Sequence, residues 1–180
     1  MTNTKTAGFG TYPLRYLALG LLMKEPAHGY QLDQTLEDAF QMIWKAGQTK
    51  LYVTLNKLEE KGWLRSETEL QDKRPDRKVY HLTPIGRKEF LKWLEKPVPS
   101  MRAVRVELIA KLRFYTLLEL PGIEELIRSQ ESIFQHMIQE WKGEKEKEKD
   151  PFLSWVYEFR IRQAEFILAW LQEYWSRFVD

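Results

Sequence analysis

Two groups of side chains stand out for the chemistry their spacing allows. Lys50, Thr54 and Lys57 recur at i, i+4 and i+7, the interval that lines one face of a helix, and Leu51, Leu55 and Leu58 repeat it on another. Further along, Lys73, Arg74, Arg77 and Lys78 gather around Pro75. Ammonium and guanidinium groups bind phosphate oxygens, and threonine and tyrosine hydroxyls add neutral donors. Thr49, Lys50, Tyr52, Thr54 and Lys57 on a helix, followed by Lys73, Arg74, Arg77 and Lys78 on and beside a turn, are therefore candidate DNA contacts. The helix would enter the major groove and the turn would meet the backbone or minor groove. Tyr52 lies between the two faces, so its ring can pack while its hydroxyl meets a phosphate. Asp72 and Asp76 flank the cations of the turn and reduce its pull on phosphate.

Catalytic chemistry has no comparable support. There are no cysteines, and the three histidines (His28, His81, His136) form no H-x-x-x-H pair, so neither disulfides nor a metal site is expected. No G-x-S-x-G, P-loop or G-x-G-x-x-G segment is present. The reading is a protein without catalytic residues or cofactors.

The charge balance points the same way. The net charge is only +2, yet residues 45–88 hold 11 Lys and Arg against 6 Asp and Glu, a local +5 that leaves −3 for the remainder. A local excess of this kind is the electrostatic footprint of nucleic-acid binding. With 43% hydrophobic and 30% charged residues, the chain of 180 residues is globular and suits one or two small domains. Its longest apolar run, 17–23, is far short of a membrane span, and the N-terminal residues lack the apolar core of a signal peptide. A cytoplasmic protein is expected.

The elements that must position the cations can be read in order. Residues 1–13, rich in Thr and Gly, read as a flexible arm. Residues 14–23 are nearly all apolar and read as a buried helix that stops before Pro26. A second helix over 29–43 has Leu32, Leu36, Phe40 and Ile43 on one face. Thr49 reads as the N-cap of a third helix, 48–61, which Gly62 ends at the C′ position. Residues 63–70 and 79–82 form a two-stranded hairpin, the wing, with 71–77 at its turn. Thr83 and Pro84 then supply a cap and a first helical residue for a fourth helix to about residue 95. Lys96-Pro97-Val98-Pro99-Ser100 is a stiff linker and the expected domain boundary. The fold class is mainly α: a winged helix-turn-helix domain, 14–95, followed by an all-helical domain, 101–180.

The second half carries helical periodicity over 104–118, 121–142 and 151–178. The charge run 143–150, GEKEKEKD, reads as a solvated turn, and Asp150 reads as the next N-cap. A final helix of that length would run ~40 Å. Phe152, Trp155, Phe159, Phe166, Trp170, Tyr174 and Phe178 make a stripe too wide for two short helices to cover. Burying it calls for a second subunit, hence a two-fold homodimer.

Four segments in order resemble the PadR family of bacterial transcriptional regulators, in its longer subgroup. LGLLMKEPAHGYQL (19–32) resembles the first helix, turn and HGY segment, and LYVTLNKLEEKGWL (51–64) the tyrosine-marked recognition helix. RKVYHLTPIGRKEFLKWL (77–94) resembles the wing strand and T-x-x-G helix start, and MRAVRVELIAKLRFY (101–115) the opening of the C-terminal domain. Val53 stands where the family often has proline, and 71–77 lacks the glycine often found in the wing. The resemblance implies a winged-helix domain, a helical dimerisation domain and a palindromic double-stranded operator. It also implies repression relieved by a small aromatic or other organic effector, whose pocket residues it leaves unassigned. The alternative reading is a winged helix used for protein–protein contacts, without sequence-specific DNA binding.

Overall fold

A computed structural model describes residues 13–43, 47–69 and 77–176. The arm as far as residue 12, the tip of the wing with Lys73 and Arg74, and Phe178 lie outside the described residues. The chain divides into two compact units. The first holds the residues up to Leu94 together with Ile109–Leu120; the second holds Glu95–Leu108 and the residues from Pro121 on.

The first unit is built on α1 (Leu14–Leu21), whose six buried residues explain its unbroken apolar sequence. After Pro26 the chain is extended as β1 (Ala27–His28) and then forms α2 (Gly29–Phe40). Next come α3 (Gln48–Glu60), β2 (Leu64–Glu69), β3 (Arg77–Leu82) and α4 (Pro84–Glu95). The sheet has three antiparallel strands in the order β1-β3-β2, not the two of the expected hairpin. Ala27 and His28 pair with Tyr80 and Val79, and two residues are too few to display strand alternation in a sequence. The β2–β3 register runs from Leu64 opposite Leu82 to Glu69 opposite Arg77.

The end of α3 is joined tightly to the start of α4. Gly62 is left-handed (φ 68°). Its N–H donates to the Glu59 carbonyl at 2.9 Å, and that of Trp63 donates to the Leu58 carbonyl at 2.9 Å. This is a Schellman ending, with glycine in the position that favours it. The Thr83 hydroxyl lies 2.7 Å from the Gly62 carbonyl and 3.0 Å from that of Trp63, and accepts the Gly86 N–H at 3.1 Å. Thr83 thus caps α4 while holding the turn that ends α3. A Cβ on Gly86 would come within 2.1 Å of the Trp63 carbonyl oxygen, so the T-x-x-G spacing is a steric requirement of this joint. At the other end of α3 the cap is Gly47, not Thr49, and no side chain among the described residues bonds there. Thr49 lies within the first turn.

After the linker come α5 (Met101–Ala103), a π-helical segment (Val104–Leu108) and α6 (Ile109–Leu117). The sequence reading places 101–120 with the second half, but α6 belongs to the first unit. Phe114 is fully buried there, 5.1 Å edge-on from Phe90 and 5.0 Å from Phe40. Lys111, also buried, sets its ammonium 4.9 Å from the centre of the Trp93 ring. A helical period reveals an apolar face but not which core the face will join.

In the second unit the linker is pinned rather than free. Gln130 is fully buried and holds both backbone groups of Val98: it accepts the N–H at 2.6 Å and donates to the carbonyl at 2.9 Å. Helix α7 (Ile123–Lys147) runs through most of the charge run, which the sequence reading took for a turn. Within the run Lys145 meets Glu158 of the facing helix at 2.6 Å, and just before it Lys142 meets Glu165 at 2.9 Å. Hydrogen bonds from Lys145 and then Arg162 hold the Glu158 carboxyl down at about 2. Only residues 148–150 form the turn, where Asp150 Oδ1 accepts the Phe152 N–H at 2.8 Å and caps α8 (Pro151–Ser176). Ile138, Ile161 and Ala164 form the core between the two helices. No helix among the described residues is long and apolar enough to cross a membrane.

Two stability outcomes follow from this packing. Phe114→Ala is expected to cost about 3–5 kcal/mol in urea unfolding, the scale of a phenylalanine lost from a core. Gly86→Ala is expected to cost about 1–3 kcal/mol by overpacking at the α3–α4 joint.

Candidate nucleic-acid interface

Helix α3 separates its faces sharply. Leu51, Leu55 and Leu58 are buried, whereas Thr49, Lys50, Tyr52, Val53, Asn56 and Lys57 are exposed. Thr54 corrects the sequence reading: it is 2% exposed, and its hydroxyl donates to the Lys50 carbonyl at 2.7 Å. Turning ~100° per residue, Thr54 falls on the leucine side of Lys50, so the threonine is packed and satisfied within the helix. Opposite the buried row stand Thr49, Val53 and Asn56, at i, i+4 and i+7. Asn56 carries no signal in the sequence reading, and Val53 only that of standing where the family often has proline; a helical wheel centred on the leucines places both on the open face.

The HGY segment supports this helix. The His28 N–H donates to Gln31 Oε1 at 2.8 Å at the start of α2, and His28 Nδ1 lies 3.3 Å from the Lys78 carbonyl oxygen in the wing. Gly29 leaves room for the Tyr52 ring, since a Cβ there would sit 2.5 Å from Tyr52 Cε1. Tyr52 is consequently laid against the start of α2 with 38% of its surface open. Tyr30 is exposed beside His28, with rings stacked at 5.6 Å, and carries the Arg77 guanidinium 5.3 Å from its own ring centre.

Several wing cations already have partners. Lys78 Nζ lies 3.4 Å from Glu59, which also accepts the Ser66 hydroxyl. That hydroxyl bond, more than the attraction of Lys78, holds the Glu59 carboxyl below its usual range against the opposing effect of burial. Arg65 pairs with Glu67. Tyr80, buried in β3, is kept neutral by burial and then by the charge of Glu59, both of which raise its pKa. Among the described candidates, Lys50 and Lys57 on α3 are the exposed cations on the face away from the core. No described group of three or more His, Asp and Glu side chains could hold a metal ion.

In the second unit, Phe152, Trp155, Phe159 and Phe166 of α8 are exposed. Trp170 and Tyr174 are half-buried, with their rings 5.7 Å apart. An open groove of about 540 Å³ lies between α7 and α8, lined by Trp141, Tyr157, Arg160 and the carboxylates of Glu140 and Glu144, among others.

The first-unit elements from α1 through most of α4 coincide with the match to one family model, the transcriptional regulator PadR-like family, over residues 18–92. Over those residues the chain is similar to the PadR-like family. The Negative transcriptional regulator PadR of Bacillus subtilis (strain 168) is 28% identical to the chain over 134 residues, 74% of each protein. The Probable transcriptional regulator Rv1176c of Mycobacterium tuberculosis is 33% identical over 92 residues, 51% of this chain and 49% of that protein. This chain therefore spans about half the length of the mycobacterial relative. The crystal structure of Bacillus subtilis PadR in complex with operator DNA aligns over 92% of this chain and 97% of that one, at 24% identity and a TM-score of 0.48. The HGY and T-x-x-G segments of this PadR-like unit are thus both tied to α3: one seats Tyr52 and the other fixes the helix end.

The ionisation of Glu59 gives a test of the joint between α3 and the wing. A lowered carboxyl pKa stabilises the fold fully above the ordinary value of 4.5, and the gain is lost as pH falls through the lowered value. Wild type should therefore lose unfolding free energy faster than Glu59→Gln below that pH, as read by denaturant titration at stepped pH.

Proposed function

We propose that this PadR-like chain is a homodimeric, cytoplasmic DNA-binding repressor of transcription. Helix α3 enters the major groove of a palindromic operator, and the wing segment 71–77 lies on the backbone or minor groove. Thr49, Lys50, Tyr52 and Lys57 contact DNA from the helix. Lys73, Arg74, Arg77 and Lys78 do so from the wing, with Lys78 drawing on its exchange between Glu59 and phosphate. Thr54 is left out because its hydroxyl is turned inward. A small aromatic or other organic effector relieves repression.

The observation that carries the reading is the division of α3: a buried leucine row with an open face that bears both lysines. A helix whose outward face is polar and cationic, on a family unit of transcriptional regulators, fits groove entry better than any other use. The exposed aromatic stripe of α8 supports the dimer, since Phe152, Trp155, Phe159 and Phe166 leave four large apolar side chains in water. The −3 balance outside residues 45–88 argues against a second nucleic-acid surface there.

Salt titration tests the DNA contact. Each neutralised phosphate contributes roughly 0.9 to the slope of log affinity against log salt, so with four to six of these cations per dimer neutralising a phosphate the slope is about −4 to −5. Lys50→Ala should flatten that slope by about 2, one contact in each half-site. Absence of binding to random duplex at micromolar protein and low salt would instead support the protein-contact alternative. For the dimer, Trp155→Asp combined with Phe159→Asp should give a folded monomer by analytical ultracentrifugation, with operator affinity weakened at least about tenfold by loss of the second half-site grip.

A further inference from the structure

We infer that Val53 and Asn56 are the base-reading residues of α3, Val53 taking the methyl group of a thymine and Asn56 an adenine on neighbouring base pairs. The inference rests on the proposed reading that α3 enters the major groove. A groove admits only the outward arc of a helix; the side chains at the edges of that arc meet the two flanking phosphate strands. Opposite the buried row Leu51, Thr54, Leu55 and Leu58, that arc holds Thr49, Val53 and Asn56, all exposed and within ~60° of one another at ~100° per residue. Lys50 and Lys57 lie toward one edge of the arc and Tyr52 toward the other, where phosphates would stand.

The chemistry of the arc restricts what it can read. Arginine and lysine are the guanine readers, and neither occupies its middle. The Asn56 amide offers one donor and one acceptor, which match adenine N7 and N6. Val53 can form no side-chain hydrogen bond. It is 44% exposed on the polar side of the helix and adds little to the core. Its branched Cβ also makes it a weaker helix former than alanine. An apolar group in that place is suited to the thymine methyl, the one apolar feature on the floor of the major groove. The two residues are ~4.5 Å apart along the helix axis, close to one base-pair step. Glu60 extends the arc with a charge that phosphates repel, which confines contact to the first turns of α3.

The experiment uses full-length protein and duplexes enriched by wild type from a random-sequence pool. Each thymine in the enriched site is replaced in turn by uracil, which lacks the methyl, and each adenine by 7-deazaadenine, which lacks N7. One uracil should weaken wild type about fourfold, the worth of one buried methyl, and leave Val53→Ala unaffected. One 7-deazaadenine should weaken wild type about tenfold and leave Asn56→Ala unaffected. Both variants should keep the wild-type salt slope, because neither side chain meets a phosphate. Both positions are exposed and alanine favours helix, so the variants should fold, which circular dichroism checks. The assignment is overturned if both variants lose the same factors as wild type on the substituted duplexes. A pool from which wild type enriches no sequence overturns the DNA-binding reading as well, which separates the two failures.

Discussion

The first unit depends on a joint of a few atoms. The carbonyls of Gly62 and Trp63, the Thr83 hydroxyl and the bare Cα of Gly86 meet where α3 ends, β2 begins, β3 ends and α4 begins. Four elements share this point, so the direction of α3 relative to the wing is set there rather than by diffuse packing. A side chain on Gly86 would have to displace backbone, which is far stiffer than a neighbouring rotamer. Thr83 serves both sides, as acceptor for the N-terminus of α4 and donor to the turn after α3. The joint is therefore a small, fully bonded polar network in a unit otherwise held by leucine and phenylalanine.

Among the described wing residues most charges have internal partners. Lys78 and Ser66 both serve Glu59, Arg65 serves Glu67, and Arg77 rests over Tyr30. Such exposed pairs contribute little to stability, but they hold the cations at defined places at little cost. Lys50 and Lys57 of α3 have no such pairing among the described residues.

The order of the helices, the wing strands and most caps was legible because each rests on local chemistry, although the cap of α3 is Gly47 and not Thr49. Gly62 at C′, Thr83 before Pro84, and Asp150 before Pro151 fall where their side chains or backbone freedom dictate. What escaped the sequence was tertiary. Thr54 shares an i, i+4 interval with the lysines, and only the placement of the leucine row shows that it turns inward. Strand β1 is two residues long and exists because β3 offers it an edge. The run 143–147 looks like solvated loop until Glu158 of the facing helix is set beside its Lys145. In the candidate site the cations stand out in the sequence and Val53 only as a departure from the family's usual proline, whereas Asn56 draws notice only once its face is known to be open.

The placement of α6 bears on how the protein is made. The first unit takes Phe114 into its core between Phe40 and Phe90, yet the chain passes through Glu95–Leu108 of the second unit before reaching it. On the ribosome, α1 to α4 would emerge with the site of that ring still empty, and the unit could close only after residues up to 120 had left the exit tunnel. A contact so distant along the chain slows folding through its loop-closure entropy. The core of the first unit is thus complete only when α6, with Phe114, Leu112 and Tyr115, has joined it.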